Sequence, residues 1–567
     1  MHCVQVCAFL FHVFAIVLSL KTHHYPHMFS SHAYRLGLLG CAFAACLGSQ
    51  LLFAQSKTER AEVTWGDARD MKKHGTFSDV RHNTADKVYM VAYRKDEPWL
   101  QMCNTDLVML GEIPLPMKMG RVEHDWEKLM FLKDKIILFT SVYKKDKKTT
   151  TLFARTYDVS DLSPLKPAQE LLVIPAESKK DRGGIRVETE ADSSGFMVWA
   201  VGAGQGEHMT VMSDVKHYSP DIELLREGEE WYERPYPTDE YDIESSYVDN
   251  DGTRFWVVRK YPEKKETKQR KREGKPTYNM VLVVYDKGVG KPKLYTLDAG
   301  DRFLQDLQMI LDEERNEIVC AGFYGNKGSW SVRGAYVMKL DRTTRAIKHQ
   351  NYKEFDRDFI TAYMTEKEER KATKQAEKKG EELEMYEYDL DDIVLRDDGG
   401  AVLVGEMYNF YITTTTSTDS QGRMVTRSVY HYVYNDIIAI SIDPKGDIDW
   451  AVKIPKRQHT TNDGGYYSSY GMVVKGEKIY FVFNDNGKNL FVKDGDKIEQ
   501  FDLKGKEALI TLVTVDISGR VFREALLAPD KRDAILRPKE CVQLEDDRMF
   551  IYAERKKEYR FGTISFK

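Results

Sequence analysis

One short pattern recurs along this chain: two or three turn-forming residues followed by an apolar run. Gly, Asp, Asn and Ser favour the turn, and the apolar run favours a strand, so each copy predicts a tight hairpin between two strands. The eight copies are "TADKVYMVAY" (84–93), "KDKIILFTSVY" (133–143), "SSGFMVWAVG" (193–202), "DGTRFWVVRKY" (251–261), "ERNEIVCAGFY" (314–324), "DDGGAVLVGEMY" (397–408), "KGEKIYFVFND" (475–485) and "EDDRMFIYAER" (545–555).

A second pattern follows most copies and predicts another hairpin. "SIDPKGDIDWAVKI" (441–454) and "TVDISGRVFREAL" (514–526) each place a glycine three residues after an Asp and then begin a new strand. Asp443 and Asp516 can cap the turn with their side chains, and Gly446 and Gly519 can adopt a positive φ. Looser versions occur at 155–171, 283–297 and 337–350. Two hairpins per unit predict four strands per unit.

Eight four-stranded units with no helical pattern between them indicate an all-β fold, a single β-propeller of eight blades. Seven blades are the alternative if one unit is merged, and two stacked β-sandwich domains are a further arrangement. The C-terminal unit, "KECVQLEDDRMFIYAERKKEYRFGTISFK", contains only three strands. We expect the early strand "AEVTWG" (61–66) to supply the fourth and so to close the ring.

The phrase formed by Asp443, Gly446 and Trp450 resembles the repeat of quinoprotein-type (PQQ-like) eight-bladed propellers. It is most similar to the non-enzymatic members of that group, which serve as assembly scaffolds at the bacterial outer membrane. The alanine before the repeat and the threonine after it are absent here. The resemblance therefore implies the propeller fold and the blade number over residues 61–567, and it implies no bound quinone. No cofactor is expected.

The first 54 residues differ from the rest of the chain. An apolar segment from Leu36 to Ala54 follows Arg35, and its small residues permit a cut after Ala54. This pattern predicts a secretory signal with Met28 as the true start, followed by a propeller over 55–567. An N-terminal anchor and a lipoprotein cut before Cys46 remain alternatives. We expect an exported protein in the periplasm, at the outer membrane or outside the cell.

Composition and motifs exclude several classes of function. A net charge of -5 over 567 residues gives no general attraction to nucleic acid. Only three cysteines follow the leader (Cys103, Cys320 and Cys541), too few for a disulfide framework or a zinc site, and no metal site is expected. The chain also lacks a Gly-x-Ser-x-Gly elbow, a His-Glu-x-x-His motif and a phosphate loop. We therefore predict no catalytic residues.

One enzymatic alternative stays open. Four carboxylates lie near the predicted innermost strands and can form an acid/base pair around the propeller axis: Glu188, Glu190, Glu244 and Asp306. Such a pair would make the protein a hydrolase or lyase acting on a glycan or peptide in the axial funnel.

The long irregular segments all fall on one predicted face of the propeller, which carries the connections from second to third strands and from fourth to first strands. These insertions are 259–277, 354–388, 409–434 and 484–507. Insertions of this length in a compact fold are commonly functional. Thr365 and Glu368 have capping-box spacing and predict a solvated helix within the second insertion.

The same face carries the candidate binding residues. They are the aromatic residues Trp330, Tyr408, Tyr411, Tyr466 and Tyr467 and the basic residues Lys264, Lys265, Lys268, Arg270, Lys271 and Arg272. The basic stretch is expected to be a flexible loop that attracts an acidic partner or anionic lipid headgroups. We predict a monomeric propeller that binds a protein at the cell envelope, within an outer-membrane complex or with peripheral membrane contact, and binds no nucleic acid.

Overall fold

The computed structural model of the protein describes residues 55–176, 178, 184–190, 193–202, 209–237, 239–249, 251–298, 300, 302–325, 331–380, 382–386, 388–418, 421, 423–527 and 535–567. The predicted leader and Trp330 lie outside these residues. Residues Gln55–Lys567 form one compact unit.

Strands account for almost all of the regular structure, and most of them form sheets of four consecutive antiparallel strands. The chain opens with β1 (Gln55–Lys57), β2 (Ala61–Trp65) and β3 (Arg69–Asp70), followed by the short helix α1 (Met71–His74). Sheet 1 is β4 (Thr76–Asn83), β5 (Lys87–Arg94), β6 (Glu97–Asn104) and β7 (Met109–Pro114), after which β8 (Lys118–Met119) pairs with β9 (Val122–Glu123). Sheet 2 is β10 (Asp125–Leu132), β11 (Lys135–Lys144), β12 (Thr149–Asp158) and β13 (Pro164–Pro175). Sheet 3 is β14 (Gly184–Thr189), β15 (Phe196–Gly202), β16 (Met209–Tyr218) and β17 (Leu224–Glu233).

The next sheets repeat this order and carry the helices. Sheet 4 is β18 (Tyr241–Val248), β19 (Arg254–Lys260), β20 (Asn279–Tyr285) and β21 (Lys293–Leu297), with helix α2 (Lys264–Glu273) between β19 and β20. Sheet 5 is β22 (Phe303–Asp312), β23 (Glu317–Gly325), β25 (Gly334–Asp341) and β26 (Ile347–Glu354); β24 (Ser331–Val332) precedes β25 and pairs with β27 (Met385–Tyr386), and helices α3 (Arg357–Thr361) and α4 (Glu366–Lys379) follow β26.

The remaining strands complete three more sheets. Sheet 6 is β28 (Tyr388–Leu395), β29 (Ala401–Thr418), β30 (Met424–Ile442) and β31 (Ile448–Ile454), with β32 (Gln458–Thr461) on the edge of β30. Sheet 7 is β33 (Gly471–Lys475), β34 (Lys478–Asn486), β35 (Ala508–Asp516) and β36 (Val521–Leu527), with a 3-10 turn at Gly487–Phe491. Sheet 8 contains β37 (Ile535–Leu536), β38 (Val542–Gln543), β39 (Met549–Arg555) and β40 (Glu558–Phe566), with a 3-10 turn at Pro538–Glu540.

The second strands of the sheets explain the recurring apolar runs. In β23, every residue after Glu317 is buried, and β5 and β11 have similar central runs. A strand with a sheet on each side must be apolar on both faces, which removes the alternation expected of a half-exposed strand. Buried clusters accordingly join consecutive sheets, and one of them joins sheet 8 to sheet 1 through Phe77, Phe550 and Tyr552. This arrangement is the predicted β-propeller.

The predicted closure between the two ends of the propeller is confirmed. β2 pairs antiparallel with β40, with Ala61 opposite Phe566 and Trp65 opposite Gly562. Because β37 and β38 both pair with β39 and together take the place of one interrupted strand, β2 is the fourth strand of sheet 8. β1 adds a further strand outside it. Ala61 and Val63 are fully buried in this sheet, so the closure is stabilised by apolar burial as well as by backbone hydrogen bonds.

The Asp–Gly turn pattern has a packing role between sheets. Asp443 Oδ1 accepts a hydrogen bond from the Asp447 amide at 2.8 Å, and Gly446 and Gly519 have φ of 89° and 78°. A side chain at Gly519 would begin 2.8 Å from the indole of Trp450, which belongs to the fourth strand of the preceding sheet. Trp450 Nε1 also donates to the Ile517 carbonyl at 2.8 Å. Position 519 thus requires glycine for two reasons: its φ is positive, and a side chain there would collide with Trp450.

Two helices in the insertions bear on the predictions: α4 confirms the helix predicted from the capping box, and α2 shows that the prediction of a flexible basic loop was wrong. Helix α4 begins at the predicted capping box of Thr365 and Glu368. The basic segment is the helix α2 rather than the expected flexible loop. Its Lys, Arg, Gln and Glu are strong helix formers, Arg270 contacts Glu266 at 2.6 Å, and Gly274 ends the helix in the left-handed conformation. Among the described residues, no helix is long and apolar enough to cross a membrane.

Candidate functional site

Four first strands share an irregularity that places a carboxylate near the axis. The register with the second strand shifts at Glu127 in β10, at Glu244 in β18, at Gln305–Asp306 in β22 and at Asp391 in β28. A β-bulge of this kind changes the direction of a side chain and is frequent beside functional sites. The strands β18, β22 and β28 lie next to one another in consecutive sheets, so three of these carboxylates form an arc.

The charge of Arg259 acts on both Glu244 and Asp306, and its guanidinium contacts Glu244. Arg259 Nη2 donates to Glu244 Oε2 at 3.1 Å, and burial raises the pKa of Glu244 while the Arg259 charge opposes that rise. Burial likewise raises the pKa of Asp306, against the hydrogen bond that the Leu390 amide donates to its Oδ2 at 3.1 Å. The negative charge of Asp306 is a further cause of the raised Glu244 pKa, because the two carboxylates lie close enough to repel.

Asp391 is the most perturbed carboxylate of the arc. Its side chain is open to solvent, yet protein atoms surround it on most sides, and this loss of hydration is the largest cause that raises its pKa to about 7. The charge of Glu406 adds to the rise, whereas the Tyr470 hydroxyl, which donates to Asp391 Oδ2 at 2.6 Å, opposes it. A carboxyl group with a pKa near neutrality can both accept and donate a proton at physiological pH.

A buried polar cluster supports this part of the arc. Lys456 Nζ lies 2.5 Å from Glu406 Oε1, and Ser469 Oγ donates to Glu406 Oε2 at 2.7 Å. Gln458 Oε1 accepts from the Ser469 amide at 2.7 Å and from Lys456 Nζ at 3.2 Å. Glu406 Oε1 accepts no hydrogen bond from the described residues and is held by the Lys456 charge alone, whereas the other contacts are hydrogen bonds that fix the second strand of sheet 6 against the connection that leads to sheet 7.

The four carboxylates predicted around the axis separate into two groups. Glu244 and Asp306 come together as described above. Glu188 instead pairs with Arg254 at 3.0 Å, and Glu190 contacts the buried His217. Among the described residues, no group of three His, Cys, Asp or Glu side chains is arranged to hold a metal ion.

The four predicted aromatic residues that the structure describes lie in two places on the decorated face, the face that carries the insertions. The Tyr408 ring lies 4.7 Å from that of Tyr434, and Tyr411 stacks on His431 at 4.4 Å. Both belong to the long hairpin of β29 and β30. Tyr466 and Tyr467 follow β32 instead: the Arg537 guanidinium lies 4.6 Å from the Tyr466 ring, and Tyr467 donates to Glu554 at 2.9 Å.

The distal part of that hairpin, residues 408–418 and 424–434, extends beyond the rest of sheet 6; we call it the ribbon. β28 ends opposite Met407, so the ribbon has two strands for most of its length. One of its faces carries Tyr408, Phe410, Ile412, Tyr430, Tyr432 and Tyr434. Phe410, Ile412 and Tyr430 are 43%, 50% and 43% exposed. The ribbon is thus an exposed aromatic surface on the decorated face.

The basic candidates Lys264, Lys265, Lys268, Arg270, Lys271 and Arg272 all lie on α2. Six cations against Glu266 and Glu273 leave the helix a net charge of +4. The adjoining Arg259 and Lys260 belong to β19 and pair with Glu244 and Glu240, so they do not add to the exposed charge.

Reasoning from the sequence missed Asp391, Glu406 and Lys456, although a signal for Asp391 was present. The segments "HDWE" (124–127), "YDIE" (241–244), "FLQD" (303–306) and "YDLD" (388–391) each place an acid at the fourth position, near the start of a first strand. Aligning the units on their first strands would have revealed it. Lys456 carried no comparable signal because it lies in an irregular connection, just before the short edge strand β32 that Gln458 begins.

Comparisons with known proteins add similarities of fold at low sequence identity. No protein-family model matches the chain, and no curated protein matches it. Among solved structures, it is similar to the WD40 domain of SCAP from fission yeast, with 9% identity, a TM-score of 0.36, and 88% of this chain and 98% of that one covered. The β-propeller domain of the Trilobed protease from Pyrococcus furiosus shows 12% identity, a TM-score of 0.31, and coverage of 82% and 100%.

A third similar structure is prolyl oligopeptidase B from Galerina marginata, with 9% identity and a TM-score of 0.35. The match covers 85% of this chain and 55% of that one. The assignment of the propeller fold rests on the sheet order and register of this chain itself.

Proposed function

We propose that the protein is exported and binds a protein partner at the bacterial cell envelope through its decorated face, as a scaffold module. The observation that carries this proposal is the ribbon, which extends past the strands that flank it and exposes Phe410, Tyr411 and Ile412. Exposed aromatic side chains gathered on one surface are typical of protein-contact sites. The pattern of the leader supports export, and the resemblance to quinoprotein-type scaffolds supports an envelope location.

Helix α2 supports the same reading. Its net charge of +4 on an acidic protein would speed the encounter with an anionic partner or with anionic lipid headgroups, without adding much to stability. The helix and the ribbon arise from insertions of the same kind, between the second and third strands of sheets 4 and 6. They therefore lie on the same face.

Site-specific photo-crosslinking tests this proposal. A benzophenone side chain in place of Phe410 or Tyr411 should give the same discrete adduct when the protein is mixed with cell-envelope fractions. Ile517, which is 44% exposed in a turn of the opposite face, provides the matched control and should give no such adduct. Equal labelling from all three positions, or no discrete adduct from the ribbon, would refute the proposal.

One observation favours a second candidate function, a hydrolase or lyase that acts on a glycan or peptide in the axial funnel. Asp391 is solvent-accessible, has a pKa of about 7 and lies beside Tyr470. This is the chemistry of a general acid or base. Turnover of a panel of glycans and peptides that is lost in Asp391→Asn, with partner crosslinking unchanged, would establish this function. No turnover by the wild type would remove it.

A further inference from the structure

One edge of the ribbon is free of backbone partners within the described part of the chain. From Tyr411 to Ser417, β29 pairs with β30 on one side only, because β28 ends opposite Met407. Among the described residues, no other strand and no turn or loop hydrogen bond meets the opposite side of this segment. An edge strand of this kind presents unpaired N–H and C=O groups, and an added strand can bind them.

The outer edge of β30 is less available. β32 covers it from His431 to Tyr434. Asn462 continues that cover, since its amide donates to the Tyr430 carbonyl at 2.9 Å and its Oδ1 accepts from the Tyr430 amide at 3.0 Å. The edge of β29 is therefore the longer free edge. Its consecutive threonines, residues 413–416, favour the extended conformation that a docking strand requires.

The charge of the ribbon indicates which kind of strand it would accept. The ribbon, residues 408–418 and 424–434, contains no Asp or Glu, whereas it contains Arg427 and His431. The connecting residues 419–423 add Asp419 and Arg423, whose formal charges cancel. Arg427 is exposed and lies opposite Thr415 in the centre of the free segment. A strand rich in Asp and Glu that adds beside β29 would complement Arg427, which lies one strand further in.

From these observations we infer that the Tyr411–Ser417 edge of β29 binds, by strand addition, an extended acidic segment of a partner protein. The inference rests on the proposed function and specifies its mode. Main-chain hydrogen bonds would hold the segment, and the cationic side chains of the ribbon would select for acidic residues in it. The aromatic face next to this edge would contact alternate side chains of the added strand.

Fluorescence anisotropy with defined peptides tests the mode of binding. The first probe is a labelled peptide of about ten residues that alternates Glu with Val, long enough to match the free edge. A second probe has the same sequence but N-methyl groups on alternate backbone nitrogens, and a third has Lys in place of Glu. The proposal expects the N-methylated peptide to bind at least about tenfold more weakly, because several backbone hydrogen bonds are lost while side chains and charge are retained. The Lys peptide should also bind more weakly than the Glu peptide.

Three protein variants complete the test. Arg427→Glu should reverse the preference between the Glu and Lys peptides, whereas Arg370→Glu, an exposed arginine on α4, should leave it unchanged. In a third variant, an Asn-Gly turn replaces residues 410–432, joining Asn409 to Val433, which lie opposite each other. This variant should lose peptide binding, and its unfolding by heat should confirm that the propeller remains folded.

The outcomes distinguish a failure of the strand-addition inference from a failure of the proposed function. Equal binding of methylated and unmethylated peptides, no binding of the Glu peptide, or dimerisation of the protein through the ribbon would overturn strand addition. If the partner identified by crosslinking nevertheless no longer co-purifies with the shortened variant, docking by the decorated face stands and only its mode is wrong. If the shortened variant still retains that partner, both are wrong.

Discussion

Nζ of Lys456 lies 2.5 Å from Oε1 of Glu406, and the two side chains are 0% and 4% exposed. Glu406 lies on β29, the second strand of sheet 6, while Lys456 begins the connection to sheet 7. Ser469 and Gln458 provide further hydrogen bonds to the pair. This buried ion pair fixes an irregular segment against the regular sheet at the base of the ribbon.

Replacing Lys456 by Met should lower the free energy of unfolding by about 3–5 kcal/mol, because it leaves the Glu406 charge buried without its partner. The double variant Lys456→Met/Glu406→Leu removes both charges and should recover most of that loss. Urea unfolding followed by fluorescence measures both effects. A loss below about 1 kcal/mol in the single variant would mean that the pair contributes little.

Removing residues 55–65 should destabilise the whole propeller. The deletion takes away β2, exposes the edge of β40 and loses the burial of Ala61 and Val63, of which the valine contributes about 1.5–3 kcal/mol by itself. We also expect self-association through the bare edge. Thermal unfolding and light scattering measure the two effects. Removal of residues 55–57 alone is the control, since β1 pairs only with β2; an equal loss there would contradict the role of β2.

Asp391→Asn should make the protein more stable at alkaline pH. Its pKa is raised in the folded state to about 7, chiefly by loss of hydration, so the folded state favours the protonated form. That contribution is complete below the unfolded pKa of about 4 and is lost as the pH rises through 7. Because Asp391 contacts solvent, we expect the variant to gain roughly 1–2 kcal/mol at about pH 8 relative to pH 4.

Chemical denaturation between about pH 4 and about pH 8 gives the difference in free energy of unfolding between the Asp391→Asn variant and the wild type. Glu406→Gln removes the second cause of the raised Asp391 pKa. In that variant, the change of stability that accompanies the ionisation of Asp391 should therefore occur at a lower pH than in the wild type. A difference between Asp391→Asn and the wild type that does not change with pH would contradict the assignment.

The ribbon should loosen at its base as the pH falls. His431 Nδ1 lies 2.9 Å from His459 Nε2, with Tyr411 stacked on His431 and Thr413 bonded to its other nitrogen at 2.8 Å. Burial, and then the charge of His431, lowers the pKa of His459. A lowered histidine pKa gives stability that is present above the unfolded pKa of about 6.5 and is lost as the pH falls through and below it.

Hydrogen exchange at the amides of His431–Tyr434, corrected for the intrinsic rate, measures this effect at about pH 7.5 and about pH 5.5. Protection should fall at the lower pH in the wild type. His459→Gln cannot be protonated and should reduce the change. Equal protection at both pH values in the wild type would show that the histidine pair does not hold β32 against β30.

Partner or membrane association should weaken as salt rises, if α2 provides electrostatic attraction. Attraction between exposed charges is screened over about 8 Å at physiological salt. Replacing Lys264, Lys265, Lys268, Lys271 and Arg272 by Gln removes charge while retaining residues that favour a helix. Arg270 is kept because it also contacts Asn279 at 3.0 Å. The variant should show a flatter salt dependence in a binding titration. A wild type without salt dependence would contradict the role of α2.

The sequence alone predicted the repeating part of the molecule. Turn residues such as Gly446 and the apolar runs that follow the turns are local signals. They located the first hairpin of every sheet and the second hairpin of sheets 2, 4, 5, 6 and 7. The pairing of 61–66 with the last unit also followed, because the final unit was one strand short. By contrast, α2 was mistaken for a flexible loop: its charge was considered, but its helix formers and Gly274 were not.

Only the tertiary structure showed which residues of the candidate site meet. The predicted propeller placed Glu188, Glu190, Glu244 and Asp306 around its axis, but it did not distinguish Glu244 and Asp306, which come together, from Glu188 and Glu190, which do not, and it did not include Asp391. The pairing of Lys456 with Glu406 depends on an irregular connection whose path no turn signal predicts. Local residue preferences determine turns and strands because their energies act within a few residues. The arc of carboxylates, the buried ion pair and the free edge of the ribbon arise from packing between distant segments, which only the folded chain decides.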